Sequence, residues 1–177
     1  MTVSFRESAD AASDAMRAVF PETPLMRNEH LSERYDADIW LKREDLSPVR
    51  SYKLRGAFNA MRKVIPQHEL FVCASAGNHA QGVAFMCKHF AVRGVIFMPV
   101  TTPQQKIGQT RKFGGDAITV RLVGDYFDDT LAKAQAHCTE VSGHFLSPFD
   151  DEDVIEGQAS VGVEIEAQLG ALPDHIV

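Results

Sequence analysis

Leu70-Phe71-Val72-Cys73-Ala74-Ser75-Ala76-Gly77-Asn78-His79-Ala80-Gln81-Gly82 decides the fold. Five apolar residues in a row, Leu70–Ala74, read as a short buried strand. The small residues behind them, and the Ala- and Gly-containing apolar run that follows, predict a turn straight into a helix near His79–Phe90. The flanking sequence repeats the pattern. Downstream come an expected strand at Val92–Met98, a helix near Pro103–Phe113, a strand at Ala117–Leu122 and a long amphipathic helix near Tyr126–Val141. Gly94, Gly114-Gly115 and Gly143 mark the junctions. Upstream, apolar residues at helical spacing predict a first helix over Glu7–Val19, stopped by Pro21 and Pro24. A short strand at Asp38–Lys42, a polar stretch through Pro48 and a helix from about Tyr52 to Val64, before Pro66, complete that half. Such alternation predicts right-handed crossovers and an α/β fold: open, mostly parallel sheets with helices on both faces. A last helix is expected over about Asp151–Leu169, with Val154, Ile155, Val161, Val163, Ile165 and Leu169 as its apolar residues. Asp174-His175-Ile176-Val177 reads as the opening of a further strand, so the sequence is expected to be a portion of a longer protein.

Composition narrows the class. The 177 residues carry a formal net charge of −6, with 45% hydrophobic and 24% charged residues, which excludes a disordered tail, a collagen-like repeat or a disulfide-dense mini-protein. No apolar run reaches the roughly 18 to 20 residues of a bilayer span, and the N-terminus lacks the apolar core of a signal peptide, so neither secretion nor a membrane partner is expected. An acidic balance without a basic stripe argues against nucleic acid. Cys73, Cys87 and Cys138 are odd in number and far apart, and read as reduced, buried and intracellular. The seven histidines show neither H-x-x-x-H nor H-E-x-x-H spacing, so no metal site is expected. A cytoplasmic enzyme acting on a small molecule is the working class.

Two segments carry chemistry. Ser75-Ala76-Gly77-Asn78-His79 stands where a strand yields to a helix, so its free N–H groups and the helix dipole suit a carboxylate or phosphate; alternatively, Ser75 or Asn78 merely caps its own helix. Ser51-Tyr52-Lys53-Leu54-Arg55-Gly56-Ala57 puts Lys53 in a first helical turn, where the dipole disfavours a cation and Arg50 and Arg55 add like charge. Both effects favour a neutral amine, as covalent chemistry with a carbonyl cofactor requires; the alternative is an ordinary surface lysine. Three other features read as structural. Lys42-Arg43-Glu44-Asp45 is by default a solvated turn, Gly114-Gly115 a helix stop, and Asp150-Asp151-Glu152-Asp153 a favoured acidic first turn rather than a metal site. No nucleotide-binding glycine fingerprint is present.

Taken together, Leu41-Lys42-Arg43-Glu44-Asp45-Leu46, the Ser51–Ala57 segment and Ser75–Gly82 closely resemble the threonine dehydratases, fold-type II pyridoxal-phosphate enzymes with a tryptophan synthase β-like architecture. The likeness runs from about Thr23 through Met98-Pro99, Lys106, Phe113-Gly114-Gly115, Gly124–Asp128 and Pro148–Asp151 to Gly157-Gln158. It implies pyridoxal 5'-phosphate as cofactor, with Lys53 as the lysine joined to it and Tyr52 packed beside it. It further implies that Ser75, Ala76, Gly77, Asn78 and His79 hold the carboxylate of an amino-acid substrate, Asn78 also lying beside the cofactor's 3-oxygen. By the same resemblance, residues 1–50 and 150–177 are parts of a large domain and 51–149 form a small one. The enzyme is expected to be a homo-oligomer when complete. Gly157-Gln158-Ala159-Ser160 stands where relatives usually read G-Q-G-T, a small departure. The glycine-rich phosphate loop that relatives carry after their next strand is not in this sequence. The 177-residue chain is therefore expected to be the N-terminal portion of the enzyme and inactive by itself.

The implied reaction is dehydration and deamination of L-threonine to 2-oxobutanoate and ammonia, the first step of isoleucine biosynthesis. Serine dehydratase and serine racemase share the lysine and asparagine-loop motifs and remain open at this point. A half-enzyme that serves as a binding or assembly partner is the reading from a different class.

Overall fold

In the computed structural model, which describes residues 4–177, the first half of the chain is α1 (Phe5–Met16), β1 (Leu25–Arg27), α2 (Glu29–Tyr35), β2 (Trp40–Lys42), α3 (Lys53–Val64), β3 (Leu70–Ala74) and α4 (Asn78–His89). The second half is β4 (Arg93–Met98), α5 (Gln104–Gly114), β5 (Ile118–Leu122), α6 (Phe127–Glu140), β6 (His144–Phe145) and α7 (Glu152–Leu169). β3, β4, β5 and β6 form one parallel sheet in the order β5-β4-β3-β6. β1 and β2 make a separate antiparallel pair, with Met26 opposite Leu41.

Alternation along the strands builds a core on each side of the sheet. Phe71 and Cys73 of β3, with Ile96 and Met98 of β4, join residues of α3, α4 and α5 in the larger core. Val72 and Ala74, with Phe97, turn the other way onto Ala134 and Cys138 of α6. Successive strand side chains point to opposite faces, so an unbroken apolar run such as Leu70–Ala74 belongs to a strand covered by helices on both sides.

Several sequence expectations need correction. α1 begins at Phe5, set by a reciprocal capping box between Ser4 and Glu7, and it closes at Met16 rather than running to Val19. β1, α2 and β6 were not expected. α2 is capped by the Asn28 side chain and stopped by Asp36 in the left-handed region, with only Ser32 buried along it. Asp174–Val177 forms no strand: α7 ends at Gly170 in the left-handed conformation, and no described strand pairs with the residues that follow. The buried stripe of α7 is Val154, Gly157, Ser160 and Glu164 rather than its larger apolar residues, and Ile155 is exposed.

That stripe is small because α3 lies directly on it. A Cβ on Gly157 would stand 2.5 Å from the Arg55 carbonyl oxygen and 2.6 Å from Asn59 Cβ. On the opposite side of α3, a Cβ on Gly82 of α4 would stand 3.1 Å from the Lys53 carbonyl oxygen. Glycine at both contacts lets the three helices stack backbone to backbone, with the first turn of α3 held in the middle.

Candidate active site

The strand order locates a crevice. From β3 the chain winds outward to β4 and β5, then returns to the other side of β3 as β6. The carboxyl ends of β3 and β6 therefore flank a point where the winding reverses, the usual ligand position in an open α/β sheet. Ser75–His79 leaves the end of β3 there, and Leu146-Ser147-Pro148 leaves the end of β6.

Lys53, the first residue of α3, reaches into this crevice. Its backbone N–H donates to Ser51 Oγ (3.2 Å), and its Nζ donates to the Pro148 carbonyl (3.4 Å). The ammonium lies 5.3 Å from the centre of the Tyr52 ring, which is itself 42% exposed. The like charge expected from Arg55 does not act here, because Arg55 points away from the crevice into two carboxylates. Arg50 is exposed, with φ of 59°.

The Ser75–His79 loop is built as an open helix terminus. Ser75 N–H donates to Phe97 O (3.0 Å), and Ser75 Oγ accepts from Gly77 N–H (3.1 Å), which fixes the turn. Gly77 is the N-cap of α4 and no side chain caps the helix, so neither Ser75 nor Asn78 spends itself in that way. The N–H groups of Asn78, His79 and Ala80 find no acceptor in the described chain, and the Asn78 side chain is exposed and unpaired. Free donors at a helix N-terminus suit an anion. Ala76 and Gly77 are half-buried and leave room for a ligand.

His79 differs from the rest of its loop. It is buried, and its Nε2 donates to the Leu146 carbonyl (3.2 Å). Burial, helped by the charge of Lys53 and opposed by the Leu146 hydrogen bond, pushes its pKa down to about 4, so the ring is neutral. Leu146 and Ser147, which with Pro148 form the wall that His79 and Lys53 share, belong to none of the motifs read in the sequence.

Behind the crevice lies an ionic cluster that contradicts the reading of Lys42-Arg43-Glu44-Asp45 as a solvated turn. The tetrad alternates. Arg43 and Asp45 face outward and pair with each other through two 2.8 Å contacts, while Lys42 and Glu44 face inward. Arg55, 0% exposed, donates from Nε and Nη2 to Glu44 (2.9 and 2.8 Å) and from Nη1 and Nη2 to Glu164 (2.7 and 2.9 Å). Its remaining Nη1 proton goes to Ser160 Oγ (3.1 Å), and Phe20 lies over the guanidinium. Lys42 Nζ donates to Glu164 (2.7 Å), to the Thr23 carbonyl (2.6 Å) and to Gln168 (3.0 Å). Arg17 also pairs with Glu164. The cluster ties the segment before β1, the end of β2, α3 and α7 together directly behind Lys53.

The remaining candidates are structural. Asp151 caps α7 by accepting from Val154 N–H, and Asp153 and Glu156 pair with Lys63. α5 stops at Gly114, with Gly115 at φ of 54°. All three cysteines are buried and free, and burial raises their thiol pKa values, that of Cys87 to about 12.

A lysine amine at the switch point of a parallel sheet, beside uncapped N–H donors and an unpaired amide, fits a cofactor that carries both a carbonyl and negative charge. These features define an α/β protein whose crevice could receive such a cofactor. Residues 17–177 match the model of the family described as pyridoxal-phosphate dependent enzyme, and the chain belongs to that family. It is 51% identical over 167 residues to the L-threonine dehydratase biosynthetic IlvA of Bacillus subtilis, an alignment covering 93% of this chain and 40% of that protein. The processed form of threonine deaminase isoform 2 from Solanum lycopersicum superposes with a TM-score of 0.83 at 38% identity, over 93% of this chain and 45% of the other. Serine racemase from Dictyostelium discoideum shares the fold, with a TM-score of 0.82 at 24% identity, over 95% and 54% of the two chains. The chain thus spans about 40% of the length of the curated relative it matches. No helix among the described residues is long and apolar enough to cross a membrane.

Proposed function

We propose that this chain is the N-terminal portion of a threonine dehydratase that converts L-threonine to 2-oxobutanoate and ammonia. The observation that carries the reading is 51% identity to an L-threonine dehydratase across nearly the whole chain. In this reading Lys53 would be the lysine joined to pyridoxal phosphate, Tyr52 would pack beside the cofactor, and Asn78 would lie beside its 3-oxygen. When bound, the cofactor supplies an electron sink for the charge left at the substrate Cα. The Lys53 amine takes the Cα proton. The free N–H groups of Ala76, Asn78 and His79, with the Ser75 hydroxyl, would hold the substrate carboxylate, and Gly77, whose N–H is turned onto Ser75 Oγ, would shape the loop around it; the Cα–H bond is so fixed toward Lys53. One water leaves as the β-hydroxyl departs, and one is consumed when ammonia is released.

The reading makes residues 1–50 and 150–177 parts of a large domain and 51–149 a small one. It places the enzyme in the cytoplasm as a homo-oligomer, and three free buried cysteines support a reducing compartment.

Two experiments test it. Borohydride reduction of the protein loaded with pyridoxal phosphate is expected to leave the pyridoxyl group on the peptide containing Lys53, and a label confined to another lysine would sink the assignment. Asn78→Ala in the threonine-active holoenzyme is expected to lower kcat/KM by about ten- to a hundredfold, the scale of a lost hydrogen bond to a charged group. Because Asn78 is exposed, the melting temperature should stay nearly unchanged. Full activity in the folded variant would rule out its role.

A further inference from the structure

Two hydrogen bonds meet on one short stretch of backbone. His79 Nε2 contacts the Leu146 carbonyl at 3.2 Å, and Lys53 Nζ contacts the Pro148 carbonyl at 3.4 Å. A carbonyl only accepts, so Nε2 carries the proton in the neutral ring, and Nδ1 keeps the lone pair. That Nδ1 is buried without a hydrogen-bond partner. β6, which delivers this stretch, is held by two residue pairs with β3, and Leu146 N–H donates to Val72 O at 2.9 Å. Leu146 is therefore fixed to the sheet through its N–H and to α4 through its carbonyl. Beyond it, Ser147 Oγ accepts from the N–H groups of Phe149 and Asp150, both at 3.3 Å, which closes the turn around Pro148.

We propose that His79 is a positioning residue whose imidazole, by holding the Leu146 carbonyl, sets the place of the Pro148 carbonyl on which the Lys53 amine rests. This deepens the role given to its loop: the backbone N–H of His79 faces the ligand while the side chain points back to align the lysine. The inference rests on Lys53 being the cofactor lysine. Burial keeps the ring neutral, so the tautomer that makes the contact persists through the physiological pH range.

Glutamine and asparagine separate the two ring nitrogens. The amide nitrogen of Gln overlays Nε2 and preserves the donor to Leu146, whereas the shorter Asn can replace only Nδ1. The complete enzyme that carries this chain, freed of cofactor, and its His79→Gln, His79→Asn and His79→Leu variants are treated with pyridoxal phosphate and borohydride, and label at each lysine is quantified by peptide mass spectrometry, with melting curves alongside. His79→Gln should label Lys53 within about threefold of the original rate, and His79→Asn and His79→Leu about tenfold more slowly, the scale of one hydrogen bond. Exposed Lys88 and Lys112 should label equally in all four. Asn or Leu variants that label Lys53 at the original rate, or a Gln variant as slow as Leu, overturn the inference alone. Failure of the original protein to label Lys53 overturns the lysine assignment and this inference with it. Imidazole nitrogen-15 NMR on the unsubstituted protein adds a check independent of variant folding: a proton on Nδ1 at neutral pH overturns the tether.

Discussion

Gly157→Ala is expected to destabilise the protein by about 3 kcal/mol or more, at or above the upper end of ordinary overpacking, read as a lower urea midpoint with an unchanged slope. The new methyl group would stand 2.5 Å from the Arg55 carbonyl oxygen, 2.6 Å from Asn59 Cβ and 2.9 Å from Gly56 Cα. Two of those atoms are backbone, so no rotamer change relieves the clash. α3 and α7 would have to separate, and the separation would stretch the Arg55–Glu164 pair seven residues further along α7. Gly162, in the same helix, supplies the control because a Cβ there meets nothing within 4 Å. Gly162→Ala should stabilise by about 0.5 to 1 kcal/mol through helix propensity alone. Equal effects at the two sites would refute the packing argument.

Glu164→Gln is expected to cost about 3 to 5 kcal/mol, because removing one partner strands a buried charge. Arg55 would keep only Glu44, and Lys42 would lose its carboxylate. Burial alone would raise the Glu164 pKa, but hydrogen bonds and charge from Arg55 and Lys42 outweigh it and hold the group at about 2, below its ordinary value of 4.5. A depressed folded-state pKa means the unfolded chain binds the proton first as pH falls. This contribution to stability is complete above about pH 4.5 and is lost as pH drops toward 2. Denaturant titrations across that window should show the loss in the original protein and its absence in Glu164→Gln. A variant with the original acid profile would show that the cluster does not carry this linkage.

Most of the sheet was legible because its signals are local. The bounds of β3 follow from the apolar run Leu70–Ala74, and those of β4, α4, α5, α6 and α7 fall within a residue or two of their periodicity. β1, β6 and α2 escaped because strands of three and two residues with no buried side chain, and a seven-residue helix with only Ser32 buried, leave almost no hydrophobic pattern; their order comes from the Asn28 cap and from pairing with β2 and β3. Lys42 and Glu44 were misread for a different reason. Charge points outward by default, and Glu164, which brings Lys42 and Arg55 inward, lies in α7, 122 residues beyond Lys42. Distance along the chain also hid the role of the His79 side chain, whose partner is 67 residues away. Lys53 and the Asn78 loop, each a contiguous motif, stand out in the sequence, and the fold brings both to the crevice between β3 and β6. The expected strand at Asp174–Val177 is absent because a strand also needs a neighbour, and apolar residues alone supply none.

The glycine contacts on either flank of α3 have a mechanical consequence for the crevice. With α4 seated against the Lys53 carbonyl on one side and α7 against the next turn on the other, the backbone beneath the lysine acts as an anvil. Only the torsions of the lysine side chain stay free. The facing jaw is softer: Phe149 is 63% exposed and Asp150 lies at the surface, held by the Ser147 hydroxyl and by the edge-on contact of Phe149 with Phe127. Local opening starts where few apolar contacts must break. Local opening of the crevice therefore falls to the Ser147–Asp150 side rather than to the helix that holds the amine.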